Sequence, residues 1–248
     1  MKSVCSDLII ILVCLFSTVA CSGEGFTKDN STSLGRSPAG NSANNFLNPT
    51  IYFQPIIKKD LSNCSSLRDL YSPEGTILET LCEADYKSCV VQGTCTVLAN
   101  DKMTSYNFHS QKDGRSRFML VDLKACPYVY GMRTTCLDPY FSVAADLSIY
   151  KLGDVIFIPK LVGVRMPNGE IHDGFLIVRD AGGGVVGSRR FDFYTGFVSY
   201  NSKANTLAQL GFGDPKSQIE FRMATPDEAN SVRAQRNYPG LQKNTQNQ

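Results

Sequence analysis

The sequence carries almost no net charge. Its 25 lysines and arginines stand against 23 aspartates and glutamates, a formal balance of +2 over 248 residues. It therefore lacks the basic footprint that grips a nucleic-acid backbone. Histidine is scarce: His109 and His172 are the two present, too few for a histidine-rich zinc site. No Cys-x-x-Cys pair occurs, which removes the common thiolate spacing for a metal. No apolar run reaches the ~20 residues that a membrane-spanning helix needs, and no segment repeats. The rest is the composition of a globular protein: 42% hydrophobic and 19% charged residues can bury a substantial core. The length fits one domain, or two small ones.

Nine cysteines are many for a reducing compartment. Cys5, Cys14 and Cys21 lie at the start, around the apolar run Leu8–Phe16 and the small residues that follow it. That run has the size of a signal-peptide core. Thr18-Val19-Ala20-Cys21 resembles a bacterial lipobox, which makes 1–20 a lipoprotein signal peptide and Cys21 the lipidated first residue of the mature chain; Thr18 departs from the usual aliphatic residue, and ordinary cleavage near Ala20 is the alternative. Ser22 after that cysteine fits outer-membrane sorting. Six cysteines remain: Cys64, Cys82, Cys89, Cys95, Cys126 and Cys136. An even number in an exported chain points to disulfides. Spacing leaves the pairing unknown, with a preference for the short loops Cys89 to Cys95 and Cys126 to Cys136.

Residues 21–50 are rich in Ser, Asn, Gly and Thr and read as a flexible tether. Residues 51–90 read as a helical extension. Within it, Ser72-Pro73-Glu74 offers a helix start, and Ile77, Leu78, Leu81, Cys82 and Cys89 an apolar face over 72–90. From Val90 on, short β-rich runs alternate with Gly, Pro, Asn and Asp. One short helix follows at Ala204–Leu210, and the polar stretch 229–248 reads as a loose tail.

Three aspartates beside strands carry the chemistry. Asp146 follows Val143–Ala145. Asp180 ends the apolar run Phe175–Val178 and opens a glycine-rich turn, where Gly182, Gly183 and Gly184 allow positive φ and close approach of a ligand. Asp192 sits between Phe191 and Phe193; on a strand their side chains take the opposite face. A carboxyl desolvated among aromatics has a raised pKa, as a general acid for glycosidic cleavage requires. The plainer alternative is that Asp180 caps a turn and Asp192 is solvated.

Ala144-Ala145-Asp146 with Leu152-Gly153, then Asp180-Ala-Gly-Gly-Gly-Val-Val-Gly187, then Phe191-Asp-Phe-Tyr-Thr-Gly196, together resemble the three-aspartate (3D) domain of the MltA family of lytic transglycosylases. The similarity covers roughly 90–225. It implies a mainly β fold: a six-stranded double-psi β-barrel over 91–228, behind the short N-terminal helical extension. It implies catalysis by Asp192 as the single acid, with Asp180 and Asp146 shaping the site. The substrate would be peptidoglycan glycan strands. Asp192 would protonate the glycosidic oxygen between N-acetylmuramic acid and N-acetylglucosamine, and the resulting carboxylate would take the proton of the C6 hydroxyl as it closes onto C1. An intramolecular nucleophile gains from proximity and removes the need for the second carboxylate that hydrolases use. No metal or organic cofactor is implied, no nucleic acid is a partner, and the membrane is reached through a lipid anchor alone. The place implied is the periplasmic side of the bacterial outer membrane.

Gly182 and Gly183 would line the glycan, Tyr194 would stack on a sugar ring, and Lys151 would bind a muropeptide carboxylate. Tyr128, Tyr130, Tyr140, Phe197 and Tyr200 are further aromatics of the kind that stack on sugars or fill a core. His172 and Asp173 form a possible dyad, though Asn168-Gly169 is a turn dipeptide that makes His172 the start of a strand. The sequence departs from the family pattern at Ala181, where a threonine hydroxyl is missing, at Gly184-Val185, and at Val186. It also looks too short for the second domain that larger members insert in the barrel. These departures keep a second function open: a non-catalytic peptidoglycan-binding or expansin-like wall-loosening lipoprotein.

Overall fold

The computed structural model describes residues 46–214 and 216–241. In chain order it contains β1 (Asn48–Tyr52), β2 (Ile56–Lys58), β3 (Leu67–Tyr71), β4 (Ile77–Cys82), α1 (Glu83–Gln92), β5 (Thr94–Ala99), β6 (Lys102–Lys112), β7 (Arg115–Leu120), β8 (Ser142–Ala145), β9 (Val155–Phe157), β10 (Phe175–Asp180), β11 (Arg190–Tyr194), α2 (Thr206–Gln209), β12 (Arg222–Met223) and α3 (Pro226–Gln235). The protein is mainly β with few helices. The signal peptide and Cys21 lie outside the described residues.

Two sheets form. The first has the order β1-β11-β8-β10-β9-β12 and mixes directions: β1 runs parallel to β11 and β8 parallel to β10, while the other neighbours are antiparallel. Its core gathers Phe191 and Phe193 with Val143, Ala145, Leu176, Val178 and Phe212. The second sheet has the order β2-β5-β6-β7-β3-β4. Its core sets Leu70, Leu81, Val97 and Phe118 against Cys89 of α1.

The connectivity corrects the expected domain plan. Strand β1 belongs to the first sheet, but the chain then builds the whole second sheet before returning to the first at β8. The second sheet is thus an insertion after the first strand. Strands β5, β6 and β7, within 94–120, belong to it and not to the first sheet. There is room for an inserted domain because the first sheet needs little more than 48–52 and 142–223.

Two further readings change. Residues 72–82 are not helical. Ser72 Oγ accepts from the backbone N–H groups of Glu74 and Thr76, and Gly75 takes φ +98°. These turn the chain into β4, antiparallel to β3. Side-chain capping of a turn competes with capping of a helix, and here glycine at the left-handed position decides for the turn. The helix begins only at Glu83, with Glu83 and Asp85 at its positive end. Part of the expected tail is folded. Residues 226–235 form α3, closed by a Thr225–Glu228 capping box, and bury Ala229 and Val232 against Val155 and Ile177. Likewise the last residues of the expected tether, 48–50, are already in β1.

All six body cysteines pair: Cys64 with Cys82, Cys89 with Cys95, and Cys126 with Cys136. Among the described residues no helix is long and apolar enough to cross a membrane.

Candidate active site

Strand alternation places Phe191 and Phe193 in the first core and turns Asp192 to the other face, as the pattern predicted. Asp192 pairs with Ala144 of β8. On its other side Ala144 pairs with Asp180 of β10, across a register shift between Val178 and Asp180. That shift inserts Arg179 as an extra residue; in unbroken register Arg179 would stand beside Ala144 and Asp180 would face the other way. A bulge re-aims a side chain in this manner. The result is a row of four across adjacent strands, Thr50–Asp192–Ala144–Asp180. Strand spacing puts the two aspartate backbones about 10 Å apart, with only a methyl group between them.

Three of the row, Asp192, Ala144 and Asp180, lie on the floor of a groove of about 360 Å³ between the sheets. Asp180, Asp192, Ala144, Tyr52, Gly182 and Gly183 line one side; Val90, Gln92, Asn107, Phe108 and Gln111 come from the second sheet and its helix. Tyr130, Gly131 and Met132 close a third side. Gly131 passes so near β10 that a Cβ there would lie 2.2 Å from the Arg179 carbonyl oxygen, so a larger residue would push this wall off the strand.

Both carboxyls are perturbed. Burial pushes Asp180 up to about 7, against the pull of hydrogen bonds, among them the Ala181 N–H, which donates to Oδ1 at 2.8 Å, and the Tyr52 hydroxyl, which donates to Oδ2 at 3.1 Å. Burial also raises Asp192, and its Oδ1 is buried with no hydrogen-bond partner. The Tyr52 phenol is raised well above its ordinary value by burial and then by the charge of Asp180, so it stays protonated and remains a donor. The pair can hold a proton near neutrality, which a solvated aspartate cannot.

Asp146 does not join them. It lies outside the groove lining, at the far end of the glycine loop. It accepts from the Ser148 hydroxyl and N–H and from the Gly187 N–H. These bonds, Ser148's first, lower its pKa. Its geometry is that of a loop anchor, because a half-buried carboxylate committed to three donors is a poor proton source. Lys151 is exposed on the same turn and does not line the groove.

Tyr194 is also corrected. It is fully buried, and its hydroxyl donates to Gln54 Oε1 at 3.0 Å. Gln54 in turn donates to Thr96 Oγ1 at 2.6 Å and Ser105 Oγ at 3.3 Å in the second sheet. No sugar can reach the ring; it ties the sheets together instead. Of the other aromatics, Tyr130 lines the groove, Tyr140 is buried, and Phe197 and Tyr200 are exposed. Gly182 and Gly183 line the groove as expected, but without positive φ; within this loop Gly187 has it, at +102°. A Cβ at Gly183 would meet nothing within 4 Å, so its contribution is open space.

His172 is no dyad. Its ring is buried against Phe141, with centroids 4.4 Å apart. Nδ1 accepts from the Gly174 N–H and Nε2 donates to the Tyr140 carbonyl. Burial pushes it down to about 4, and it is a neutral core residue. Among the described residues no cluster of His, Cys, Asp and Glu could hold a metal. The sequence reading missed Tyr52, Thr50 and Ala144 as neighbours of the aspartates. Ala144 stands inside the quoted motif, whereas Tyr52 and Thr50 come from a strand some 140 residues away along the chain and had no local signal.

Residues 141–208, which carry all three aspartates, match the family model of the 3D domain. No curated protein matches the sequence. Similar solved structures include MltA of Escherichia coli with bound chitohexaose, at 15% identity over 73% of each chain with a TM-score of 0.48. The membrane-bound lytic murein transglycosylase of Agrobacterium tumefaciens gives 14% identity over 74% of this chain and 75% of that one, with a TM-score of 0.49. MltA of Neisseria gonorrhoeae gives 12% identity, 69% and 70% coverage, and a TM-score of 0.45.

Proposed function

We propose that the protein is a peptidoglycan lytic transglycosylase whose first sheet is a double-psi barrel and whose groove binds a glycan strand. The observation that carries this reading is the convergence of Asp180 and Asp192 across Ala144 in one groove, both with raised pKa values. The 3D-domain match supports it. Asp192 is the acid: it protonates the glycosidic oxygen, and its carboxylate then takes the C6 hydroxyl proton of N-acetylmuramic acid as that oxygen closes onto C1, giving a 1,6-anhydro product. Asp180, held by Tyr52 and the Ala181 N–H, keeps a second ionisable group beside the acid, its own pKa raised by burial and further by the charge of Asp192. Asp146 acts at a distance, by anchoring the loop that carries Gly182 and Gly183.

Sacculi incubated with the protein should release anhydromuropeptides detectable by mass spectrometry, and Asp192→Ala should lower their formation by about 10²-fold or more. Reducing-end products would mean hydrolysis. Binding without products would favour the wall-loosening alternative, to which the missing hydroxyl at Ala181 and the exposed Val186 point.

We place the protein in the bacterial envelope as an outer-membrane lipoprotein anchored at Cys21, with the segment before β1 as its tether. Metabolic labelling with a fatty acid should mark the chain, and Cys21→Ala should abolish the label and release the protein to the soluble periplasmic fraction.

A further inference from the structure

We propose that the groove selects for charge as well as shape: an amino sugar with a protonated 2-amino group binds there more tightly than its N-acetylated counterpart, and unproductively. This rests on the groove being a glycan site. Among the described residues its lining contains two acidic groups, Asp180 and Asp192, and no lysine or arginine. Neither carboxyl has an ion-pair partner among the described residues. The cation acting on Asp192 is Arg190, which lies outside the lining and reaches toward the Asn48 carbonyl at 3.4 Å. Facing them across the groove are neutral side chains of the second sheet: Val90, Gln92, Asn107, Phe108 and Gln111.

Two acids in a row with a methyl group between them leave a gap over Ala144. An ammonium group seated there meets both carboxyls and no opposing cation. In a partly desolvated groove that attraction is several times what open water allows. A charge-assisted hydrogen bond is also roughly twice as strong as the neutral one an N-acetyl amide N–H can make. The same ammonium stabilises the ionised carboxylates and so lowers their pKa. The acid then has no proton to give, and the bound strand is an inhibitor.

The test is calorimetric titration of the full chain with a short glucosamine oligomer and with the N-acetylglucosamine oligomer of equal length, at about pH 7, where part of the amine is protonated and Asp180 is near its midpoint. The glucosamine oligomer should bind about ten-fold more tightly. It should also suppress release of product from sacculi, where the N-acetylated oligomer does so weakly. An Asp180→Asn/Asp192→Asn double variant that still melts cooperatively by circular dichroism should bind the two oligomers alike and so lose the preference. Equal or weaker binding of the glucosamine oligomer to the unaltered protein overturns the proposal, as does a preference that survives in the double variant. The two readings fail separately. A charge preference without anhydro products removes the catalytic function and leaves the charge selection. Anhydro products without the preference do the reverse.

Discussion

At the residue scale, Asp180 shows how a site group costs stability. Its folded pKa is raised by burial to about 7, against about 3.9 in an unfolded chain. Below about pH 4 both states are protonated and the group contributes nothing. Between about pH 4 and 7 the unfolded chain ionises while the native one does not, so stability falls as pH rises; above about pH 7 the loss is complete. Its upper bound is about 4 kcal/mol. Asp180→Asn removes the charge and keeps an acceptor for the Ala181 N–H, and the Tyr52 hydroxyl can turn to accept. The variant should therefore be more stable than the parent at about pH 8, by about 1–3 kcal/mol, with the gain vanishing near pH 4. Urea unfolding at both pH values measures this; an equal difference at both would mean that Asp180 is not perturbed. Individual residues were partly legible in the sequence. Asp192 flanked by Phe191 and Phe193 can be read from alternation alone, because side chains on a strand have only two faces. Asp180 beside Asp192 cannot, because the extra residue Arg179 shifts the register, and nothing in the run Phe175–Asp180 marks it.

At the element scale, the short link between β1 and β2 holds the two sheets together. Phe53 N–H donates to Gln92 Oε1 at 2.9 Å, and Gln54 N–H donates to the Gly196 carbonyl. The Gln54 side chain bridges Tyr194 of the first sheet to Thr96 and Ser105 of the second. Tyr194 lies 5.2 Å from the ring of Tyr52, the residue that holds Asp180. Gln54→Leu would leave the Tyr194 hydroxyl buried without an acceptor, at a cost of about 1–3 kcal/mol. Tyr194→Phe orphans only Gln54 Oε1 and should cost about 1–2 kcal/mol. Both should appear as a lower urea midpoint. A Tyr194 that stacked on sugar would give the opposite pattern, with weaker glycan binding and an unchanged midpoint. The elements themselves were unevenly readable. β11 follows strict alternation. The stretch 72–82 carries a serine and proline that suit a helix start, and the deciding signals were Gly75 and the β-branched Thr76 and Ile77 behind it. Gln54 has no signature at all, since a lone glutamine between apolar residues looks like an exposed position.

At the scale of the whole molecule, the 3D segment was visible in three short motifs because its loops need particular residue types. The inserted sheet was not, because its strands are generic and belong to the same β-rich texture as the first sheet. The groove exists only between the two, so its far wall could not be read from either. The C-terminal stretch was misjudged for a similar reason: it is polar in sequence, yet its backbone carbonyls have a structural task. Arg179 is fully buried, and its guanidinium donates to the carbonyls of Cys136, Pro239, Gly240 and Arg236 while Tyr238 lies 5.2 Å from it. Burial pulls its pKa to about 10, so it stays charged at neutral pH. One cation thus ties the disulfide loop at Cys136 and the chain end to β10, directly beside Asp180. Ending the chain after Arg236 would remove the Pro239 and Gly240 acceptors and the Tyr238 ring, leaving a buried charge undercompensated. Losing one partner of a buried charge typically costs about 3–5 kcal/mol, and a stop at that position should lower the thermal midpoint accordingly. An Arg179→Met change in the same truncated chain removes the uncompensated charge and should recover part of the loss. In the full-length chain the same change should destabilise, because there it orphans the carbonyls instead. That reversal of sign between the two backgrounds, read by calorimetric melting, separates a charge held by the chain end from a tail that is merely packed; additive effects would show that the end of the chain does not hold Arg179.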